Sequence, residues 1–97
     1  MGLTADAVAV AGALVRLAGE FDREAHGWSD YPRVAARCRD AVDTMTDAAR
    51  RVLRSGDTDW GEAWITSGRV VLAHLSMARL FRDGDQWQLD PLAMDHS

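Results

Sequence analysis

The segment from residue 59 to residue 82 most constrains the fold, because its apolar residues recur at helical spacing on more than one side. At about 100° per residue, polar and apolar residues separate onto opposite sides of a helix. The polar side carries Glu62, Thr66, Arg69, Ser76, Arg79 and Asp83. The opposite side carries Trp60, Trp64, Val71, His74, Ala78 and Phe81, and the run 70–73 fills the flanks. We expect a central helix with Asp59 as its N-cap.

Two earlier segments repeat apolar residues at alternating steps of four and three, which is typical of amphipathic helices. They span about 4–23 and 32–55, with Thr4 as an N-cap and Pro32 in the first turn of the second helix. The pair Ser55-Gly56 supplies a stop signal. With a third helix at 59–82 and a tail at 83–97, the sequence predicts an all-α, single-domain, three-helix antiparallel bundle with a short C-terminal tail.

The apolar arcs of the first and third helices are wider than a three-helix core requires. We therefore expect self-association into a larger helical bundle, most simply as a homodimer. The chain also has four tryptophans, a residue type enriched at protein interfaces. Candidate partner-binding residues are Trp60, Trp64, Trp87 and Leu89. In the alternative interpretation, the tryptophans fill the ends of the bundle and contact the tail.

The charge pattern argues against nucleic acid as a partner. Fifteen acidic residues outnumber eleven basic ones, which gives a net charge of −4, and an acidic chain gains little from counterion release. The one local basic patch, Arg50, Arg51 and Arg54, lies in the last turn of the second helix, where the helix dipole favours cations. No run approaches the roughly 18 apolar residues of a membrane span. The single cysteine allows no intrachain disulfide, so we expect a cytoplasmic protein.

Ser67 and His74 share one side of the third helix, and they are candidate polar groups for binding a small ligand in an apolar pocket. The alternative is a structural histidine whose hydrogen bonds are satisfied in the core. Cys38, His26 and His96 add donor types that bind metals, but no pair has the close spacing of structural zinc sites. We expect neither a metal nor a cofactor.

Arg69 and His74 have an R-x4-H spacing that resembles the ribonuclease motif of HEPN-type helical dimers. The resemblance covers these two residues, and Val70 stands where a polar residue commonly follows the arginine. In that family, such residues from two chains converge in a groove between subunits and assist attack by the RNA 2′-hydroxyl. The resemblance therefore implies that Arg69 and His74 are catalytic candidates. The two side chains project about 140° apart on an ideal helix, which makes joint action within one chain awkward.

The remaining acidic residues give no catalytic pattern. Asp40, Asp43 and Asp47 share the hydrated face of the second helix with several arginines, which keep the carboxylates ionised. We therefore expect a small, non-enzymatic, helical protein–protein interaction module that acts as an adaptor, inhibitor or regulator in a homodimer. The alternatives are a HEPN-like ribonuclease and a small-ligand-binding helical bundle.

Overall fold

A computed structural model describes residues 4–84 of the chain, and these residues form three helices. The helices are α1 (Ala5–Gly27), α2 (Pro32–Ser55) and α3 (Thr58–Gly84), so the predicted all-α three-helix bundle is confirmed. Glu24 near the end of α1 pairs with Arg79 near the end of α3, and Gly61 near the start of α3 lies against Val10 of α1. Helices α1 and α3 therefore run in the same direction, and α2 runs opposite to both.

The ends of α1 and α2 follow from local chemistry. The hydroxyl oxygen of Thr4 accepts a hydrogen bond from the amide of Ala7 at 3.0 Å, which satisfies one of the free donors in the first turn. Pro32 occupies the first turn of α2, where its missing amide is not needed. Gly56 ends α2 with φ 72°, a left-handed conformation that glycine adopts without steric cost, and its amide donates to the carbonyl of Val52.

Three helix boundaries differ from the prediction. Helix α3 runs to Gly84 and so includes two residues that were assigned to the tail, and the rest of the predicted tail lies outside the described residues. Asp57, rather than Asp59, caps α3, because its Oδ1 accepts a hydrogen bond from the amide of Trp60 at 3.0 Å.

Helix α1 continues past Arg23 to Gly27, and Glu24 and Ala25 of this added turn are buried. The extra turn brings an acidic residue into the interior, and the consequences are described below.

The core lies mainly between α1 and α2, where small side chains let the two helices pack closely. Alanines supply much of this contact, and a few large side chains fill the remaining space. The largest fully buried side chains are Phe21, Leu14, Val52 and Cys38. Full burial of a leucine or phenylalanine stabilises a fold by roughly 1.5–3 kcal/mol, so these few residues supply much of the stability of α1 and α2.

Helix α3 approaches the other two helices through glycines. A Cβ atom built on Gly61 would lie 2.5 Å from Cγ1 of Val10 and 2.7 Å from Cγ2 of Val52, so no side chain fits there. A Cβ atom built on Gly68 would lie 3.2 Å from Cδ1 of Leu17. The backbone of α3 therefore lies directly against the side chains of its neighbours.

This close approach corrects the predicted buried face of α3. The face turned toward the core is built from Gly61, Ile65, Gly68, Leu72 and Leu75. The indole rings of the predicted face are too large for so narrow a contact, and they lie at its edge, half-buried. The buried face is thus turned by about a quarter of the helix circumference from the predicted one.

Candidate functional site

A long groove runs between α2 and α3, because these helices contact each other less than each contacts α1. Two adjoining hollows of about 540 and 280 Å³ form it, with the buried side chains of Phe21 and Met45 at its base. Its walls are Arg33, Arg37, Asp40, Ala41 and Thr44 of α2 with Trp64, Ser67, Val71 and Leu75 of α3. We call this surface the α2–α3 groove.

The groove continues past Thr44 and Trp64 as a further hollow of about 530 Å³ near the end of α2. Trp60 and Trp64 form its aromatic wall, with their ring centroids 5.8 Å apart and the rings tilted by 59°. The guanidinium carbon of Arg51 lies 4.3 Å from the centroid of the Trp60 ring, a cation–π contact. This end of the groove therefore presents indole surface and positive charge together.

The rim of the groove is basic although the chain as a whole is acidic. Across the three hollows the charged side chains are Arg33, Arg37, Asp40, Asp47, Arg50, Arg51 and Arg54. Asp47 forms an exposed ion pair with Arg50 at 3.1 Å, so these two charges offset each other. The remaining rim carries more positive than negative charge, the reverse of the net −4 of the chain.

The four candidate partner-binding residues have different positions relative to the groove. Trp60 and Trp64 lie side by side in its wall. Trp87 and Leu89 lie outside the described residues. The partner-binding role of all four therefore stays a prediction. Two of them, Trp60 and Trp64, line a groove that a partner could enter.

The other candidate residues do not form a shared site. Ser67 lines the groove, whereas His74 is exposed and lies outside it, so the two do not enclose a common pocket. Arg69 is also exposed, and within residues 4–84 no hydrogen bond or ion pair joins it to His74. Ser67 thus borders the α2–α3 groove without His74. The ribonuclease hypothesis, which requires Arg69 and His74 from two chains, stays a prediction.

The buried polar cluster at the other end of the bundle was not predicted from the sequence. The carboxylate of Glu24 accepts hydrogen bonds from Nε and Nη2 of Arg79 at 2.9 and 3.0 Å, and from Nε1 of Trp28 at 3.1 Å. The Arg79 hydrogen bonds hold the pKa of Glu24 below its ordinary value of 4.5, although burial acts in the opposite direction. The carboxylate therefore stays ionised, and it is unsuited to act as a general acid or base near neutral pH.

Arg82 completes this cluster. Its Nη1 donates to the carbonyl oxygen of Gly27 at 2.8 Å, and its guanidinium lies 4.5 Å from the ring centroid of Trp28 and 5.4 Å from that of Tyr31. A cation at the C-terminal end of α1 also interacts favourably with the helix dipole. The cluster thus fastens the end of α3 to the end of α1, which is a structural role.

The outer side of α3 is apolar along most of its length. On the side of α3 that faces away from Gly61, Gly68 and Leu75, six residues follow one another at steps of three and four, and all six are exposed. We call them the outer stripe of α3: Ala63, Thr66, Val70, Ala73, Met77 and Leu80. The side chains of Val70, Met77 and Leu80, the largest in the stripe, are each more than half exposed.

Two further properties of residues 4–84 bear on function. No helix among them is long and apolar enough to cross a bilayer. In the same residues, no three side chains of His, Cys, Asp or Glu cluster as a metal site would require.

Comparison of the chain with models of known families, with curated proteins and with solved structures gives no match. The site geometry is therefore the basis for any functional conclusion.

Proposed function

We propose that the protein is a small, non-enzymatic interaction module that self-associates and receives an acidic amphipathic helix of a partner protein in the α2–α3 groove. The observation that carries this proposal is the groove itself: an apolar floor, an aromatic wall and a basic rim along one side of the bundle. Adaptors and regulators commonly bind partners in this helix-in-groove mode.

The dimensions of the groove suit a helix. Its lining runs along α3 from Trp60 to Leu75, which is about 22 Å at 1.5 Å per residue. A ligand helix of about four turns would match this length and would make the groove side of the module resemble a four-helix bundle. Ala41, Val71 and Leu75 in the walls are half-buried or exposed, and they are suited to contact bulky apolar side chains of the ligand.

The rim favours an acidic ligand. Arg33 and Arg37 line one part of the groove, and Arg51 and Arg54 line the part next to the tryptophans. Carboxylates on the flanks of a bound helix would meet these arginines. Such complementarity acts mainly on association rate and specificity, whereas apolar burial supplies most of the affinity.

The chemistry of the charged groups supports a binding role over a catalytic one. The best-buried carboxylate, Glu24, is ionised and fully engaged by Arg79 and Trp28. The aspartates on the groove rim are exposed, so solvent screens their charges and leaves them without the desolvation that acid–base catalysis uses.

The experiment is a selection of random 16-residue peptides, displayed on phage, against the folded protein. We expect enrichment of peptides that combine acidic residues with apolar residues at helical spacing. Binding of the enriched peptides is then measured by titration calorimetry with two matched variants, Val71→Glu and Val70→Glu. Val71 lines the groove, and Val70 is its neighbour in the outer stripe, with nearly the same exposure.

The expected result is that Val71→Glu weakens peptide binding more than about tenfold, because a carboxylate then faces both the apolar floor and an acidic ligand. Val70→Glu should leave the peptide affinity unchanged. Enriched peptides without acidic character, or equal effects of the two variants, would overturn the proposal.

A further inference from the structure

The outer stripe of α3 has the pattern of a coiled-coil seam. Its residues follow steps of three and four over about two and a half heptads, and the opposite side of the same helix already faces the core. A seam of this kind is normally covered by a second helix with the same pattern. The α2–α3 groove lies on a different side, since Val71 lines the groove and its neighbour Val70 belongs to the stripe.

We infer that the outer stripe of α3 binds the outer stripe of a second copy of this chain, with the two α3 helices antiparallel across a twofold axis. This inference rests on the self-association in the proposed function and names the surface that produces it. The interface is isologous, so one stripe supplies both sides of the contact.

Side-chain size favours the antiparallel arrangement. The large residues Met77 and Leu80 lie toward the C-terminal end of the stripe, and smaller ones lie toward its N-terminal end. When the helices are antiparallel and centred near Leu75, Leu80 meets Val70 of the second copy, and Met77 meets Ala73 of the second copy. A parallel pair would instead oppose alanine to alanine and methionine to methionine, which leaves a gap in one layer and crowds another.

Charge selects the same register. Residues beside the stripe include Glu62, Arg69 and Asp83, all exposed. The carboxylate of Asp83 also accepts hydrogen bonds from Nε and Nη2 of Arg82 in its own chain at 2.6 and 3.0 Å, so a second arginine would share it. In the register centred near Leu75, Arg69 approaches Asp83 of the second copy, and the twofold axis repeats this pair. A shift by one heptad toward the N-terminus brings Glu62 toward Asp83 of the second copy, where like charges repel. Each exposed pair contributes little affinity, so the charges act mainly on register.

The first test is sedimentation equilibrium of the full chain. The seam is short and contains small residues, so we expect dissociation in the micromolar range, which concentrations from about 1 to 300 µM would cover. Val70→Glu and Leu80→Glu should each raise the dissociation constant more than about 100-fold, because every dimer then buries two carboxylates without partners. Val71→Glu, matched in residue type and exposure, should leave the dimer intact.

The second test determines orientation. A spin label at Glu62→Cys, in a Cys38→Ala background, reports the distance between the two copies by electron spin resonance. The antiparallel register separates the labelled positions by 26–28 residues along the helix pair, which is about 40 Å at 1.5 Å per residue. A parallel pair would hold the labels within about 20 Å of each other.

The outcomes separate this inference from the proposed function. A dimer that persists in both Val70→Glu and Leu80→Glu would overturn the α3 seam and leave self-association through another surface. A label distance under about 20 Å would overturn the antiparallel arrangement. A wild-type chain that is monomeric throughout the concentration range would overturn both the inference and the proposed self-association, whereas peptide binding in the groove would be unaffected.

Discussion

Glu24 and Arg79, 55 positions apart in the chain, form a two-point contact in which Nε and Nη2 of the arginine each donate to a different carboxylate oxygen. The carboxylate is 8% exposed and the guanidinium side chain 37% exposed, so the pair lies at the edge of the core. Two parallel hydrogen bonds between charged groups fix the geometry more tightly than a single ion pair does. The contact therefore sets the position of the C-terminal part of α3 relative to α1.

Replacement of Arg79 should destabilise the fold because the buried carboxylate of Glu24 then lacks its charged partner. In Arg79→Ala, Glu24 keeps its burial and its Trp28 contact but loses two charged donors. We expect a loss of about 1–3 kcal/mol in the free energy of unfolding, measured by urea denaturation. The range extends down to about 1 kcal/mol because the Arg79 side chain is 37% exposed, and solvent weakens an exposed charged contact. Arg16→Ala, an exposed change on α1, should stay within about 0.5 kcal/mol of the wild type.

A double-mutant cycle tests whether the pair is responsible. Glu24→Gln removes the charge but keeps an oxygen that can accept hydrogen bonds from Trp28 or Arg79. Arg79→Ala combined with Glu24→Gln should be less destabilised than the sum of the two single changes, because no unpaired carboxylate remains. Strictly additive effects would show that the two residues contribute independently.

The same pair should make stability depend on pH in the acidic range. The folded-state pKa of Glu24 lies below the ordinary value of 4.5, mainly because of its hydrogen bonds with Arg79. The unfolded chain therefore binds more protons in the interval between the two values, and stability falls as the pH falls through that interval. The contribution is fully present above the unfolded-state pKa. Urea denaturation from about pH 3 to pH 7 should show a smaller acid-side loss for Glu24→Gln than for the wild type.

Gly61 should tolerate no side chain. A Cβ at this position would meet the side chains of Val10 and Val52 at under 3 Å, so α3 must shift away from the core. We expect Gly61→Ala to destabilise by about 1–3 kcal/mol, although alanine favours a helix by about 1 kcal/mol. Thermal unfolding followed by circular dichroism would measure the change.

Gly12 provides the matched control for Gly61. A Cβ on Gly12 would have as its nearest neighbour the guanidinium of Arg16 at 3.6 Å, an ordinary contact with a flexible group. Gly12→Ala should therefore stabilise α1 by up to about 1 kcal/mol. If both alanine variants shifted stability in the same direction, the close approach of α3 would not be the deciding factor.

Cys38 should report on opening of the core. Its thiol is 1% exposed, and burial raises its pKa above the ordinary value of 9.0, so little reactive thiolate exists in the folded chain. We expect alkylation by iodoacetamide at about pH 8 to be more than about 100-fold slower in the folded protein than in urea. Destabilising variants such as Arg79→Ala should react faster than the wild type, and equal rates in folded and unfolded chains would contradict the burial of this residue.

The sequence was sufficient to predict three helices and their packing into an all-α bundle, because the apolar periodicity of α1 and α2 is strong and the signals at Thr4, Pro32 and Gly56 are local. Such features depend on neighbours in the chain and need no tertiary information. Asp57 shows the limit of this approach. Asp57 and Asp59 are both chemically able to cap α3, and only the backbone geometry selects the earlier one.

The buried face of α3 could not be predicted from residue size. Large apolar side chains usually mark a core, and Trp60 and Trp64 directed the prediction toward the wrong side of the helix. The contact is instead marked by Gly61 and Gly68, where the absence of a side chain allows close approach. Glycines seven residues apart on one side of a helix were the available signal, and Ile65 between them lies on the same face.

The sequence contains only a weak indication of the polar cluster around Glu24. The apolar stripe of α1 runs through Leu14, Leu17 and Phe21, and the next step of three reaches Glu24. A charged residue in line with such a stripe requires a partner when it is buried. The sequence alone did not identify Arg79 among eleven arginines, because that choice depends on how α3 lies against α1.

The interior contacts of α3 change character along its length. Up to Leu75 the helix is held by glycine contacts and apolar burial, whereas beyond it the inward-facing positions are Arg79 and Arg82. Salt screens charged contacts but leaves apolar burial almost unaffected. The last turns of α3 should therefore exchange amide hydrogens faster than its first half, with a modest further increase at high ionic strength because the Glu24–Arg79 pair is partly buried. One continuous helix then behaves as two units of unequal local stability.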